Sequence, residues 1–270
     1  MPAIRPPAVA GQFYPGDPGE LALAVQTFLA EASPFDLIPK ALIVPHAGYI
    51  YSGAIAATAY ATLRPIAARI RRVILLGPTH RVAVRGLALP GGTAFDTPMG
   101  RVMLDTAAAQ SIAHLPQVGV SAQVHALEHS LEVQLPFLQS VLADFTLLPL
   151  AVGMASSEEV AEVLECLWGG EETLIVISSD LSHYLPYATS QRVDKETVQA
   201  ILNLEEPIPH DRACGGTPVS GLILAARQHH LTPHLLDLRN SGDTAGSRDQ
   251  VVGYAALAFT QEESGHETNA

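Results

Sequence analysis

The stretch Ala41–Gly53, ALIVPHAGYIYSG, decides how the rest of the chain is read. Ala41 to Val44 form a short apolar run with no polar residue to face solvent, the pattern of a strand buried on both faces. Pro45 stops it, because proline cannot donate to a sheet ladder. His46 therefore stands just past a strand end. Gly48 and Gly53 loosen the backbone before an Ala-rich helical segment over 53–63. In open α/β sheets, ligands bind beyond the carboxyl ends of the strands, so His46 is a functional candidate.

The arrangement repeats along the chain. A second apolar run, Arg72 to Gly77, leads into Pro78-Thr79-His80, and TLIVISSDLSHY (173–184) ends in Asp180 and His183. Further strands are predicted over 86–90, 95–105, 145–153 and 251–259. Helices are predicted over 19–31, 105–114, 156–168, 190–203 and 218–230, the last with Thr217 as N-cap, and 238–247 is expected to be a loop. Strands alternating with helices give a layered α/β fold with substantial parallel pairing.

Composition narrows the class. Hydrophobic residues make up 48% and charged residues 16%, enough for a large core and against disorder. A formal net charge of −12 argues against a general nucleic-acid binder, which needs Lys and Arg for phosphates. No apolar run approaches the roughly 20 residues needed to cross a bilayer, and the N-terminal residues lack an apolar signal core. Two widely separated cysteines, Cys166 and Cys214, fit a reducing, cytoplasmic compartment. Residues 2–18 read as an extended, Pro-rich arm and 261–270 as a polar tail.

The most chemically loaded segment is 124–142, VHALEHSLEVQLPFLQSVL. As a helix it sets Leu127, Leu131, Leu135 and Leu138 in a stripe, with His125, Glu128, His129 and Glu132 beside it. Pro136 would kink that helix. His125-Ala-Leu-Glu128-His129 also matches the H-x-x-E-H pattern of inverted zinc proteases, although five residues match readily by chance and the ordinary reading is a polar helix face. Cys214 precedes a predicted helix start, a position that lowers a thiol's pKa. Two imidazoles with a thiolate, or two imidazoles with a carboxylate, would hold a metal and leave positions open. Any one of these residues alone is ordinarily structural: a loop histidine is solvated, and Cys166 reads as a small core residue. Their coincidence at several strand ends is what points to a site.

Eight segments together, RPPAVAGQFYP (5–15), PHAGYIYSG (45–53), LGPTHR (76–81), DTPMGRVMLD (96–105), EHSLEVQLPFL (128–138), SSDLSHY (178–184), NSGDTAG (240–246) and VVGY (251–254), resemble the Memo family. Its prokaryotic members are called AmmeMemoRadiSam system protein B, and the likeness runs from about Arg5 to Phe259. The family in turn resembles class III extradiol dioxygenases, which use non-haem iron. The resemblance implies a single three-layer α/β/α domain over 1–270 with a central mixed, largely parallel sheet. It implies metal ligands at His46, His80 and Cys214, with the thiolate in place of the dioxygenases' glutamate. Asp180 and His183 would stand beside them as orienting group and acid/base, with Glu128, His129, Glu132 and Tyr51 around the pocket. It further implies iron, with copper or zinc as alternatives, an unknown small-molecule substrate, and AMMECR-type and radical-SAM proteins as partners.

The expected function is thus that of a metal-binding, non-haem iron dioxygenase-like protein in redox chemistry. Two alternatives from other classes are a non-catalytic module binding a peptide, or an anion at the helix start near Ser52 and Gly53, and a metal-dependent hydrolase acting through the 125–129 segment.

Overall fold

The computed structural model describes residues 3–261. The chain runs through β1 (Ile4–Arg5), α1 (Pro18–Glu31), β2 (Pro39–Val44), α2 (Tyr49–Ala61), β3 (Arg72–Pro78), β4 (Leu87–Leu89), β5 (Ala94–Thr97), β6 (Gly100–Met103), α3 (Thr106–Ile112) and β7 (Val118–Val120). It continues through α4 (Ala122–Ala126), α5 (Leu135–Val141), β8 (Thr146–Val152), α6 (Ser157–Leu167), β9 (Thr173–Ser178), β10 (His183–Leu185), α7 (Tyr187–Leu202), α8 (Gly216–Gln228), β11 (Leu231–Asn240) and β12 (Val251–Gln261). The tail expected over 261–270 lies, apart from Gln261, outside the described residues.

The main sheet has nine strands in the order β10-β12-β2-β9-β3-β8-β4-β7, with β11 also paired to β12. Its centre, β2, β9, β3 and β8, is parallel. Antiparallel pairs flank that centre, β12 on β2 and β4 on β8. The sheet is mixed and flanked by helices, as the alternation of strand and helix patterns predicts.

The apolar runs explain the layers. Successive strand residues point to opposite faces. Leu42, Val44, Val73, Leu75 and Val176 pack with residues of α1, α2 and α5 on one face. Ala41, Ile43, Ile74, Leu76, Ile175 and Ile177 pack with residues of α3, α6 and α8 on the other. A fully buried Leu or Ile adds about 1.5–3 kcal/mol over an exposed one, so both faces hold these strands in register. The ends of β2, β3 and β9 are thereby aligned on one side of the sheet.

Several expectations are corrected. The segment 124–142 is not one helix: α4 ends at Ala126, a 3₁₀ turn spans Glu132–Gln134, and α5 starts at Leu135. Pro136 sits in the first turn of α5, where its missing N–H costs nothing, and so starts a helix instead of kinking one. Leu127, placed in the apolar stripe by that reading, is 57% exposed. The predicted loop at 238–247 overlaps β11, which pairs along the length of β12. Its alternation was hidden because most of its residues are only half-buried. The N-cap of α8 is Gly215, not Thr217. The helix placed at 53–63 begins at Tyr49, so Ser52 and Gly53 lie within its first turns. Ser52 Oγ donates to Ala47 O at 3.0 Å, and a Cβ at Gly53 would meet the Phe28 ring at 2.8 Å, which leaves no anion cradle there. Cys166 is exposed, because the buried face of α6 is built by Val160, Ala161, Val163, Leu164 and Leu167.

Candidate metal centre

Three strand ends deliver the same geometry. His46 follows the end of β2 by two residues, His80 follows β3 by two, and Asp180 follows β9 by two. His129 arrives from the irregular turn between α4 and the 3₁₀ segment. Ligand atoms of His46, His80 and His129 all lie within 4.8 Å of one another. Their ring centroids are 5.1 Å apart for His46–His80, 5.5 Å for His46–His129 and 4.6 Å for His80–His129.

Hydrogen bonds set which ring nitrogen faces the centre. Ser178 Oγ donates to Ser130 O at 2.6 Å and accepts from Gln134 Nε2 at 2.8 Å. A hydroxyl has one proton. His46 Nδ1, 2.9 Å from the same oxygen, must therefore carry a proton and donate it. That leaves His46 Nε2 as a lone pair. His80 Nδ1 is 2.9 Å from Glu128 Oε1, and His80 N donates to Glu128 Oε2 at 2.6 Å. Burial alone would raise the Glu128 carboxyl, but the His80 side chain and the backbone N–H groups of His80 and Ser130 outweigh it and hold it down at about 2. The carboxylate is thus ionised, His80 Nδ1 donates to it, and His80 Nε2 is free. His129 Nδ1 lies 3.5 Å from the same Glu128 oxygen.

Burial, reinforced by neighbouring imidazoles, holds His46 well below the ordinary histidine range. Burial and His80 hold His129 at about 4. Near neutral pH both rings are therefore uncharged, the form that ligates metals. Neutral imidazoles with converging lone pairs and Nδ1 groups anchored by a hydroxyl or carboxylate are the arrangement metal-binding histidines use. The residues present fit a metal ion.

Cys214 also reaches this centre. Its Sγ is 3.2 Å from His46 Nε2 and 3.7 Å from Asp180 O. A Cβ at Gly215 would meet Ser179 Cβ at 2.7 Å, so glycine lets this loop close down on the end of β9. The expectation of a lowered thiol pKa reverses: burial and the Asp180 carboxylate push Cys214 up to about 12. The thiol precedes the N-cap of α8 and gains too little from that helix to offset desolvation. Its proton is available to the His46 Nε2 lone pair.

Asp180 is buried, and its Oδ1 accepts the His46 backbone N–H at 2.7 Å. Burial raises its carboxyl to about 6 against that hydrogen bond and the nearby histidines. His183 Nδ1 donates to Leu181 O at 2.9 Å, which leaves Nε2 to accept or release a proton. A cleft of about 720 Å³ opens beside the centre, lined by Phe13, Tyr51, His129, Asp180, His183 and Tyr254 among others. No Lys or Arg lines it among the described residues.

Two expected site residues stand elsewhere. Glu132 is fully buried away from the cleft, where its carboxylate accepts from Arg5, Ala8 N, Val9 N and Tyr14. His125 Nε2 donates to Ala88 O at 2.7 Å, and its ring packs edge-on to Phe95. His125 and His129 therefore do not share a helix face, and the inverted-protease geometry is absent. Ser178 and Gln134, which fix the His46 tautomer, had no signal in the sequence beyond their place next to site segments.

Fold and site together define an α/β protein with a histidine cluster at the carboxyl ends of central parallel strands. The chain belongs to the Memo family: residues 5–258 match the family described as Memo-like protein. It is 36% identical over 268 residues to a MEMO1 family protein of Aquifex aeolicus, covering 95% of this chain and 99% of the relative. A MEMO1 family protein of Methanosarcina barkeri is 35% identical over 275 residues, covering 94% and 99%. Among solved structures, an uncharacterized protein from Escherichia coli K12 shares the fold with a TM-score of 0.51 at 13% identity, covering 79% of this chain and 98% of that one. No helix among the described residues is long and apolar enough to cross a membrane.

Proposed function

We propose that this chain is a metal-dependent redox protein of the non-haem iron, dioxygenase-like kind, acting on a small substrate in the cleft beside the histidines. One observation carries the reading. His46 and His80 each have Nδ1 committed, to Ser178 and to Glu128, so that both Nε2 lone pairs turn to the same space. His129 supplies a third imidazole, and Cys214 stands close enough to His46 to replace or join it. An imidazole set suits iron, copper or zinc; a thiolate ligand favours iron or copper over harder ions. Bound iron would supply the one-electron chemistry that the chain itself lacks.

The residues of the chain do the rest. Glu128 orients His80, and Ser178 with Gln134 orients His46. Asp180 pins the His46 backbone. His183 is the acid/base, through the Nε2 that its bond to Leu181 O leaves open. Phe13, Tyr51 and Tyr254 give the cleft an aromatic wall. With no Lys or Arg on the cleft lining, a metal would be its principal positive charge, and a substrate atom with a lone pair would be drawn to it.

The test is metal analysis after anaerobic purification and iron loading, comparing the wild type with His46→Ala and His80→Ala. Stoichiometric metal in the wild type and near-zero metal in both variants is expected. Near-zero metal in all three refutes the proposal. For the third ligand, a thiolate-to-iron charge-transfer band that disappears in Cys214→Ser assigns the sulfur; a spectrum unchanged by that substitution assigns His129.

A further inference from the structure

We propose that the N-terminal arm is a working part of the metal centre and that Arg5, held by Glu132, is the positioning residue that sets where His129 and Glu128 stand. The inference rests on the metal-binding reading for its metal readout only.

The arm is not a loose extension. Ile4 and Arg5 pair in parallel with Ala94 and Phe95 in a small second sheet, and Thr93 N donates to Ala3 O at 2.9 Å. From this anchored strand the Arg5 side chain runs inward to 7% exposure and lies over the Phe95 ring, 4.9 Å from its centroid. Its three nitrogens take three different partners on one segment. Nε donates to His125 O at 2.6 Å, Nη2 to Glu128 O at 2.7 Å and Nη1 to Glu132 Oε2 at 2.7 Å. A planar guanidinium spans such a set in one fixed orientation, whereas an ammonium cannot.

The segment it grips is the irregular turn that replaces the expected helix. Such a turn leaves carbonyls without helical partners, and each buried one needs a donor. Arg5 supplies two. Glu132 completes the clamp from the other side: besides Arg5 it accepts Ala8 N at 2.8 Å, Val9 N at 3.0 Å and Tyr14 Oη at 2.5 Å, and so draws residues 8–14 onto the same turn. The arm then continues over the site. The Phe13 ring lies 4.7 Å from the His129 ring, and Phe13 O accepts the N–H of Tyr49, the first residue of α2, at 2.7 Å. One short arm thus bridges the turn bearing Glu128 and His129 to the loop that carries His46.

A buried ion pair is weak evidence for stability by itself, since desolvation offsets its attraction. Its best-attested use is to enforce one arrangement. Here the arrangement enforced is the backbone that aims His129 and the Glu128 carboxylate on which His80 depends.

The experiment compares Arg5→Lys with Arg72→Lys. Arg72 pairs with Asp105 at 2.7 Å at the start of β3, on the far side of the sheet from the histidines. For each variant, thermal stability, metal affinity and the ligand-field spectrum of the cobalt-loaded protein are measured. Arg5→Lys is expected to weaken metal binding by up to about tenfold, the lower end of what losing an outer partner of a ligand costs, because Arg5 acts through Glu128, and to shift the cobalt spectrum. Arg72→Lys is expected to lower stability with affinity and spectrum unchanged. Wild-type affinity and spectrum in Arg5→Lys, or equal changes in both variants, overturns the proposal. If Arg5→Lys does not fold, Tyr14→Phe removes a single donor from Glu132 and must shift the cobalt spectrum away from that of the wild type; no shift overturns it. Hydrogen exchange separates this failure from that of the metal reading. In the metal-free protein the amides of 128–133 are expected to lose protection in Arg5→Lys and keep it in Arg72→Lys. Equal protection in both refutes the arm's role whether or not metal binds.

Discussion

The two ends of the main sheet are built from similar materials and come out differently. At the amino end of β2, Lys40 Nζ donates to Trp168 O at 2.6 Å, Gly170 O at 2.8 Å and Thr173 O at 2.9 Å. All three of its protons are used. A groove of about 630 Å³ adjoins it, yet the ammonium there is already satisfied by backbone carbonyls. At the carboxyl end, His46 and His80 have one nitrogen satisfied and one turned inward toward the other imidazoles. Imidazoles facing imidazoles gain little for stability when the weak Cys214 thiol, 3.2 Å from His46 Nε2, is the donor at hand, and burial makes charging them costly. A polar cluster whose hydrogen bonds close on themselves is architecture. One whose imidazole lone pairs converge, with a single weak thiol donor beside one of them, keeps acceptors unused where a cation could sit.

That contrast can be broken by substitution, and the effects on bound metal should fall in a definite order. Glu128→Gln should have the largest. It removes the charge that fixes the His80 tautomer, and metal affinity measured by competition with a chelator is expected to drop about 10–100-fold. Unchanged affinity would mean that His80 needs no carboxylate behind it. Ser178→Ala should come next. It frees His46 Nδ1 and leaves one of the two Gln134 Nε2 protons without an acceptor while the other still donates to Pro45 O, which costs about 1–3 kcal/mol in unfolding free energy for an unsatisfied buried group, and it should weaken metal binding about tenfold at the lower end of the same range.

Acid should act more gradually. Unfolded histidines titrate near 6.5, while His125 and His129 are held at about 4 in the fold. The unfolded chain thus binds more protons between these values, so the stability these residues contribute is complete above about pH 6.5 and is lost as pH falls toward 4. Asp180 has the opposite sign. Its carboxyl is raised to about 6, so its contribution is complete below about 3.9 and lost as pH rises through 6, partly offsetting the histidines. Thermal unfolding of the metal-free protein should show a net fall in Tm on acidification from neutral pH, and His129→Asn should flatten it. A Tm independent of pH over that window would show that the cluster is not held uncharged.

Lys40→Met should have no effect on metal at all. It leaves three carbonyls at the far end without their donor and should lower Tm alone. Any loss of metal affinity would show that the two ends are coupled through the sheet and would remove the distinction between them.

Much of this was legible in the residues. The apolar runs within 41–44, 72–77 and 173–184 each call for burial on two faces, and a histidine or aspartate stands in the turn at the end of each. That reasoning reaches His46, His80 and Asp180 without a structure. It fails at 124–142, where spacings of three and four looked helical. The chain there leaves the helix so that Glu128 can take up His80 N, His80 Nδ1 and Ser130 N together, a gain in hydrogen bonds that helical propensity does not register. It fails at Cys214 as well, because desolvation depends on what packs around the thiol and not on its neighbours in sequence. Arg5 and Glu132 pair across 127 positions, and no local pattern marks them.

The sequence by itself determined the layered α/β class, the parallel centre of the sheet and the strand ends at which reactive residues gather, because periodicity and burial are local demands that any compact form of this chain must meet. Only the tertiary structure decided that His129 joins His46 and His80 while His125 turns away, that the Cys214 sulfur stands against His46, and that Glu132 serves the N-terminal arm. Those outcomes turn on which buried donor finds which acceptor, a choice made between residues far apart in the chain once the core has brought them together.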